Sequence, residues 1–208
     1  MKVLIVTVPM RPPHEISAVN YPVDGNKSIE YGKPVRCPVN GILAKTLKKD
    51  DQLKVIYIQI MGENSEGEQN RKNFTDELEL INKEIGAVLS YDTVETEHLP
   101  TKHTYNRLIT DLADKIPENA EILTDITYGS KPEILSLFCA LRFVEEFRDA
   151  LVQYIVYGKA DFNKITREIE NAMIFDITSL YYLFKLMGTM GAAHAETAMK
   201  TLKDFFAM

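Results

Sequence analysis

Tryptophan is absent from this 208-residue chain, and cysteine occurs only twice. Cys37 and Cys139 stand far apart and neither belongs to a Cys-x-x-Cys pair, a usage that argues against a disulfide framework and a zinc site and suits a reducing compartment. Positive charge is also in short supply. The 24 Lys and Arg residues are outnumbered by 30 Asp and Glu, a net charge of −6, so a broad face for gripping long nucleic acid without regard to sequence is not expected. No apolar run reaches the roughly 20 residues of a membrane helix. The opening run Met1 to Pro9 is too short for a signal peptide and ends in proline rather than in a small-residue cleavage site. No Gly-x-Gly-x-x-Gly follows that run and no Walker-type loop occurs, which removes the usual reasons to expect a dinucleotide enzyme or a P-loop NTPase. The expectation is a soluble cytoplasmic protein with no metal and no cofactor.

What the sequence does contain is alternation. Short β-branched runs recur at Val3 to Val8, Leu53 to Ile60, Ala87 to Val94, Glu121 to Asp125 and Leu151 to Tyr157. Between them lie helical patterns at Val39 to Lys48, Gln69 to Ile85, Thr104 to Lys115 and Ser130 to Phe147. Strands alternating with helices predict an α/β, Rossmann-like fold with a mainly parallel sheet and flanking helices. In the last helix Ile134, Leu135, Phe138, Leu141, Phe143 and Val144 are spaced by threes and fours, which predicts an apolar face on the sheet. Two regions depart from the minimal pattern. The first crossover is long, and the Asp24-Gly25 pair between Asn20 and Tyr31 predicts a β-hairpin insert at about residues 18–34. After residue 160 the chain is read as a C-terminal helical extension, with helices at Asp176 to Met190 and His194 to Phe206. Residues 1–160 are then one Rossmann-like domain, and residues 161–208 an appendage that forms a dimer contact or leads to a further domain.

In open parallel sheets ligands sit beyond the carboxyl ends of the strands. The segments in that position are Pro9 to Pro13, Met61 to Asn64, Leu99 to His103, Asp125 to Pro132 and Gly158 to Asp161. The fourth, Asp125-Ile126-Thr127-Tyr128-Gly129-Ser130-Lys131-Pro132, holds the most chemistry. Gly129 permits a tight turn, the helix starting at Ser130 offers N–H groups and a positive dipole end, and Thr127 and Lys131 add a hydroxyl and a charge. The same letters have a purely architectural reading. Ser130 and Glu133 fit a capping box, and Pro132 suits the first turn of any helix.

The eight-residue segment resembles the D-x-T-x-G-(S/T)-K/R-P signature of CARF domains, the CRISPR-associated Rossmann-fold sensors of cyclic oligoadenylates, and the order of elements agrees over roughly residues 1–160. Gly32-Lys33-Pro34 leading to Pro38-Val39-Asn40-Gly41 is similar to the branch found with type III CRISPR systems. Tyr128 departs from the Gly or His often seen in the signature. The resemblance implies a homodimer whose two motif loops line one site for cyclic tetra- or hexa-adenylate, with an effector, fused or separate, under its control. It places Thr127, Tyr128, Gly129, Ser130, Lys131 and Pro132 at the ligand, together with Arg11 as a phosphate partner and Met10 as an apolar contact. Asn40 reads an adenine edge or serves its helix start. The resemblance leaves open a ring nuclease that cleaves its ligand by metal-independent 2′-hydroxyl attack. His14, Thr127, Ser130 and Lys131 would be its first residues to test, while no catalytic residue is assigned. The histidines of His98 to His103 are a weaker candidate. No Arg-x-x-x-x-His nuclease motif is present, so the expectation is a stand-alone sensor or ring nuclease, or an excised sensor domain, and the helical pattern running through Lys203 to Met208 favours excision. A ligand-responsive DNA-binding regulator, with the tail helices as a helix-turn-helix, is a further alternative.

Overall fold

The computed structural model describes residues 1–60, 65–97, 101–163, 169–189, 191 and 194–206. Among these residues lie seven strands, β1 (Lys2–Thr7), β2 (Val23–Asp24), β3 (Gln52–Ile60), β4 (Val88–Thr96), β5 (Glu121–Asp125), β6 (Leu151–Phe162) and β7 (Ile169–Asp176). The helices are α1 (Pro38–Thr46), α2 (Ser65–Ile85), α3 (Lys102–Lys115), α4 (Lys131–Phe147), α5 (Thr178–Thr189) and α6 (Ala195–Phe206). The strands form one sheet in the order β2-β7-β6-β5-β1-β3-β4. All pairings are parallel except that of β6 with β7. The fold is α/β and Rossmann-like. No helix among the described residues is long and apolar enough to cross a membrane.

Alternation along β1 sorts the core into two layers. Leu4, Val6 and Val8 join Leu53, Val55 and Tyr57 of β3 in a cluster with Val39, Ile42 and Leu43 of α1 and Phe74 and Leu78 of α2. Successive strand residues point to opposite faces, so Val3, Ile5, Ile56, Ile58 and Ile122, all buried, belong to the other face, where α3 and α4 pack on one another. The inner stripe of α4 is Leu137, Ala140, Leu141 and Val144. Leu135 and Phe143, expected on that stripe, are exposed. This helix carries apolar residues around most of its circumference, and spacing alone does not choose among them.

The insert after β1 is not the expected hairpin of two long arms. Its ends are joined by a single antiparallel bridge, Val19 to Val35, while Val23–Asp24 pairs in parallel with β7 at the sheet edge. Short 3-10 turns at Pro13–Glu15 and Lys27–Ile29 fill the remainder. The sheet also runs past the expected boundary at residue 160. β6 continues to Phe162 and β7 returns antiparallel to it, so one compact unit spans Met1–Ile177 and a second, Thr178–Met208, holds α5 and α6.

Helix α1 opens on Cys37, which supplies no side-chain cap. The cap comes from α2 instead. Glu77 accepts from the Arg36 N–H at 2.7 Å, the Cys37 N–H at 3.1 Å and the buried Asn40 amide at 2.9 Å. Asn40 also donates to the Phe74 carbonyl at 3.1 Å. Glu77→Ala strips the acceptor from three donors and is expected to cost about 2 kcal/mol in urea denaturation, the scale of a lost charged cap. Glu77→Gln, which keeps one acceptor oxygen, should recover part of that loss.

Candidate functional site

Chain order reverses between β1 and β5. From β1 the chain moves outward through β3 to β4, then crosses back to place β5 on the other side of β1. The carboxyl ends of these two strands therefore form the switch point at which open α/β sheets hold ligands. A cavity of about 400 Å³ opens there, within the size range of small-molecule sites.

Two loops floor the cavity. After β1, Pro9, Met10 and Arg11 line it, anchored from α2 by the fully buried Asn70, whose amide donates to the Pro9 carbonyl at 2.9 Å and the Arg11 carbonyl at 2.8 Å. After β5, Tyr128, Gly129, Ser130 and Pro132 line it. The Tyr128 ring also packs near Phe74, centroids 6.3 Å apart, so this side chain faces both core and cavity. Gly129 has φ +106°, the left-handed region that glycine tolerates. A Cβ there would stand 3.2 Å from the Thr7 hydroxyl, so the turn lies directly on the end of β1.

The turn is held from below by a chain of hydrogen bonds. Asp125 Oδ1 accepts from the Thr127 N–H at 2.7 Å and from the Thr127 hydroxyl, and that hydroxyl oxygen accepts from the Gly158 N–H at 2.7 Å. Thr127 is thus committed to the scaffold and is not among the residues lining the cavity, and the same holds for Asn40. Lys131 is exposed at the first position of α4, outside the lining. Asp125 itself is fully buried, and burial pushes its carboxyl up to about 6 against the pull of the hydrogen bonds from Thr127 and from the Val39 backbone N–H.

The start of α4 is a complete capping box. Ser130 N–H donates to Glu133 Oε2, and Glu133 N–H donates to Ser130 Oγ at 3.4 Å. Pro132 has no N–H. Of the first helical positions only Lys131 retains an N–H for an outside acceptor, and the Glu133 carboxylate offsets the positive end of the helix dipole. Both readings of this segment hold at once: it is a cap, and it lines a cavity.

The opposite wall comes from residues that the sequence patterns did not single out: Ile60 at the end of β3, Thr96 and Glu97 at the end of β4, and Thr104 and Tyr105 in the first turn of α3. Thr101 caps that helix, accepting from the Thr104 N–H at 3.1 Å. Residues 61–64 and 98–100, parts of two segments expected to face a ligand, lie outside the described residues. A second cavity of about 670 Å³ adjoins Arg11 and is lined by His14, Glu15, Ser17, Val19, Phe162 and Ile169. The Arg11 guanidinium lies 5.7 Å from the centre of the Phe162 ring, within cation–π range. Among the described residues, Arg11 is the cation common to both cavities.

Such an arrangement can take a ligand with an aromatic or apolar body in the first cavity and an anionic part at Arg11. Comparison with models of known protein families finds no match to this chain, and comparison with curated proteins finds none either.

Proposed function

We propose that this chain is a sensor of cyclic oligoadenylates of the CARF type, acting in type III CRISPR signalling as a homodimer that binds cyclic tetra- or hexa-adenylate and controls an effector. The observation that carries this reading is the convergence of Met10 and Arg11 with Tyr128, Gly129, Ser130 and Pro132 around one cavity at the switch point between β1 and β5. The signature-like segment and the loop after β1 are 115 residues apart in sequence, counted from Met10 to Asp125, yet meet where the fold class binds nucleotides. A ligand with two-fold symmetry is matched by two copies of one patch. In this reading Arg11 pairs with a phosphate, Lys131 approaches from the rim, and Thr127 serves by holding the turn.

Calorimetry against linear and cyclic oligoadenylates of four and six units tests the proposal. One cyclic species is expected to bind and to raise the melting temperature, with about 2.7 kcal/mol of stabilisation at a hundredfold excess over Kd. Arg11→Ala is expected to weaken that species about tenfold or more, the scale of a charge-assisted phosphate contact. A flat response to all four ligands would falsify the reading. Chromatography of the same mixtures after hours separates a ligand that is held from one that is cut.

A further inference from the structure

We propose that the cavity receives a purine base, and that Glu133 selects a 6-amino over a 6-oxo purine. This rests on the sensor reading above and adds to it a division of labour: base inside, phosphate outside at Arg11.

Two buried polar atoms carry the argument. Glu133 is 7% exposed and uses Oε2 on the Ser130 N–H, whereas its Oε1 is buried with no hydrogen-bond partner. Thr96 is 1% exposed and its Oγ1 is likewise unpartnered. The two residues line the same cavity from different walls, one at the start of α4 and the other at the end of β4. Buried polar atoms are ordinarily satisfied, and the exceptions ask for a missing partner. An ionised carboxylate oxygen is an acceptor only, so its partner must donate, while a hydroxyl can do either.

Charge then fixes which part of a nucleotide enters. Glu133 and Glu97 are both in the lining, and among its described residues Arg11 is the one cation. A phosphate placed between those carboxylates would be repelled, whereas at Arg11, on the side shared with the second cavity, it meets a guanidinium. The rest of the lining includes Val8, Ile60, Tyr105, Tyr128 and Pro132, surfaces suited to a flat ring. A 6-amino purine offers its exocyclic N–H to Glu133 Oε1 and a ring nitrogen to the Thr96 hydroxyl. A 6-oxo purine presents a carbonyl oxygen to the carboxylate, acceptor against acceptor. The capping box prevents an easy escape, because the Ser130 N–H holds the other carboxylate oxygen in place.

The probes are cyclic tetra-adenylate and cyclic tetra-inosinate, with adenosine and inosine monophosphates as single-unit controls. The wild-type chain is expected to prefer the adenine member of each pair by about tenfold or more, the discrimination given by one buried hydrogen bond made or reversed. Glu133→Gln keeps an acceptor for the Ser130 N–H and places an amide donor where Oε1 stood. It should lose adenine affinity about tenfold and reverse the preference toward inosine. Thr96→Val, of nearly equal volume, should weaken adenine binding with the preference retained. Equal wild-type affinity for adenine and inosine ligands, which needs no variant to fold, overturns the inference and leaves the sensor reading standing. So does an unchanged preference in folded Glu133→Gln. Failure of the wild type to bind either purine overturns both.

Discussion

Replacing Gly158 with alanine is expected to destabilise the first unit by about 3 kcal/mol, the upper end of what overpacking costs. A Cβ at this position would stand 2.7 Å from Pro38 Cγ and 2.9 Å from Thr127 Oγ1. Neither neighbour is a flexible chain end. Pro38 opens α1 with its ring fixed to the backbone. Thr127 Oγ1 is held by Asp125 and accepts the Gly158 N–H itself, so moving it breaks two hydrogen bonds. Urea denaturation measures the cost, and a change under about 0.5 kcal/mol, the ordinary scatter of surface substitutions, would show that the contact yields freely. Introducing Gly158→Ala into a Thr127→Ala background removes one of the two clashes. The double variant should therefore lose less than the sum of the single losses, as coupled neighbours do. Ligand binding should fall with stability in Gly158→Ala, because the residue sets the height of the turn that floors the cavity.

That dependence explains what could be read from the amino-acid order and what could not. β1, β3, β5 and the start of β6 were legible because buried parallel strands are short continuous runs of β-branched and apolar residues. β7 was not. Its Glu170 and Asn171 interrupt the apolar pattern, and it is paired through β6, which runs on to Phe162, past the expected end at Tyr157. The Asp24-Gly25 turn signal was real, since Gly25 has φ +84°, but Val23–Asp24 finds its partner in β7, about 150 residues away, rather than in a neighbouring arm. The candidate site divides along the same line. Tyr128, Gly129, Ser130 and Pro132 are contiguous and signal themselves, as do Met10 and Arg11 at the end of the first strand. Asn70 and Glu77 act from the side of a helix on loops far away in sequence, with no local pattern to mark them. Glu133 was visible as a cap, but its second oxygen acquires meaning only when β4 brings Thr96 to the same cavity.

Lowering the pH from 7.5 to 5 is expected to stabilise the protein through Asp125, against the usual trend for an acidic chain rich in ion pairs. Burial raises this carboxyl to about 6 from its ordinary 3.8, with the two Thr127 hydrogen bonds and one from the Val39 backbone N–H opposing the rise. Below about 4 the group is protonated in folded and unfolded chains alike. Between about 4 and 6 the folded state holds the proton more tightly, so stability is lost as pH rises through that window. The full difference corresponds to roughly 3 kcal/mol, of which about half, roughly 1.4 kcal/mol, is regained at pH 5. Opposing groups act lower. Lys115 and Lys54 hold Asp92 down to about 2, and the Lys2 ammonium keeps Asp51 below its ordinary value, so their stabilisation is lost only below about pH 4. Cys37, Tyr21 and Tyr128, the neighbours of Asp125, are all pushed upward by burial, away from the acidic window. Asp125→Asn keeps an oxygen for Thr127 and cannot ionise. Its stability should be flat between pH 5 and 7.5 relative to the wild type, and parallel pH curves for the two proteins would show that Asp125 is not the group responsible. Because Asp125 also fixes Thr127, and Thr127 the turn, the same titration is expected to leave ligand affinity nearly unchanged above pH 6.5, where the carboxylate already holds both hydrogen bonds.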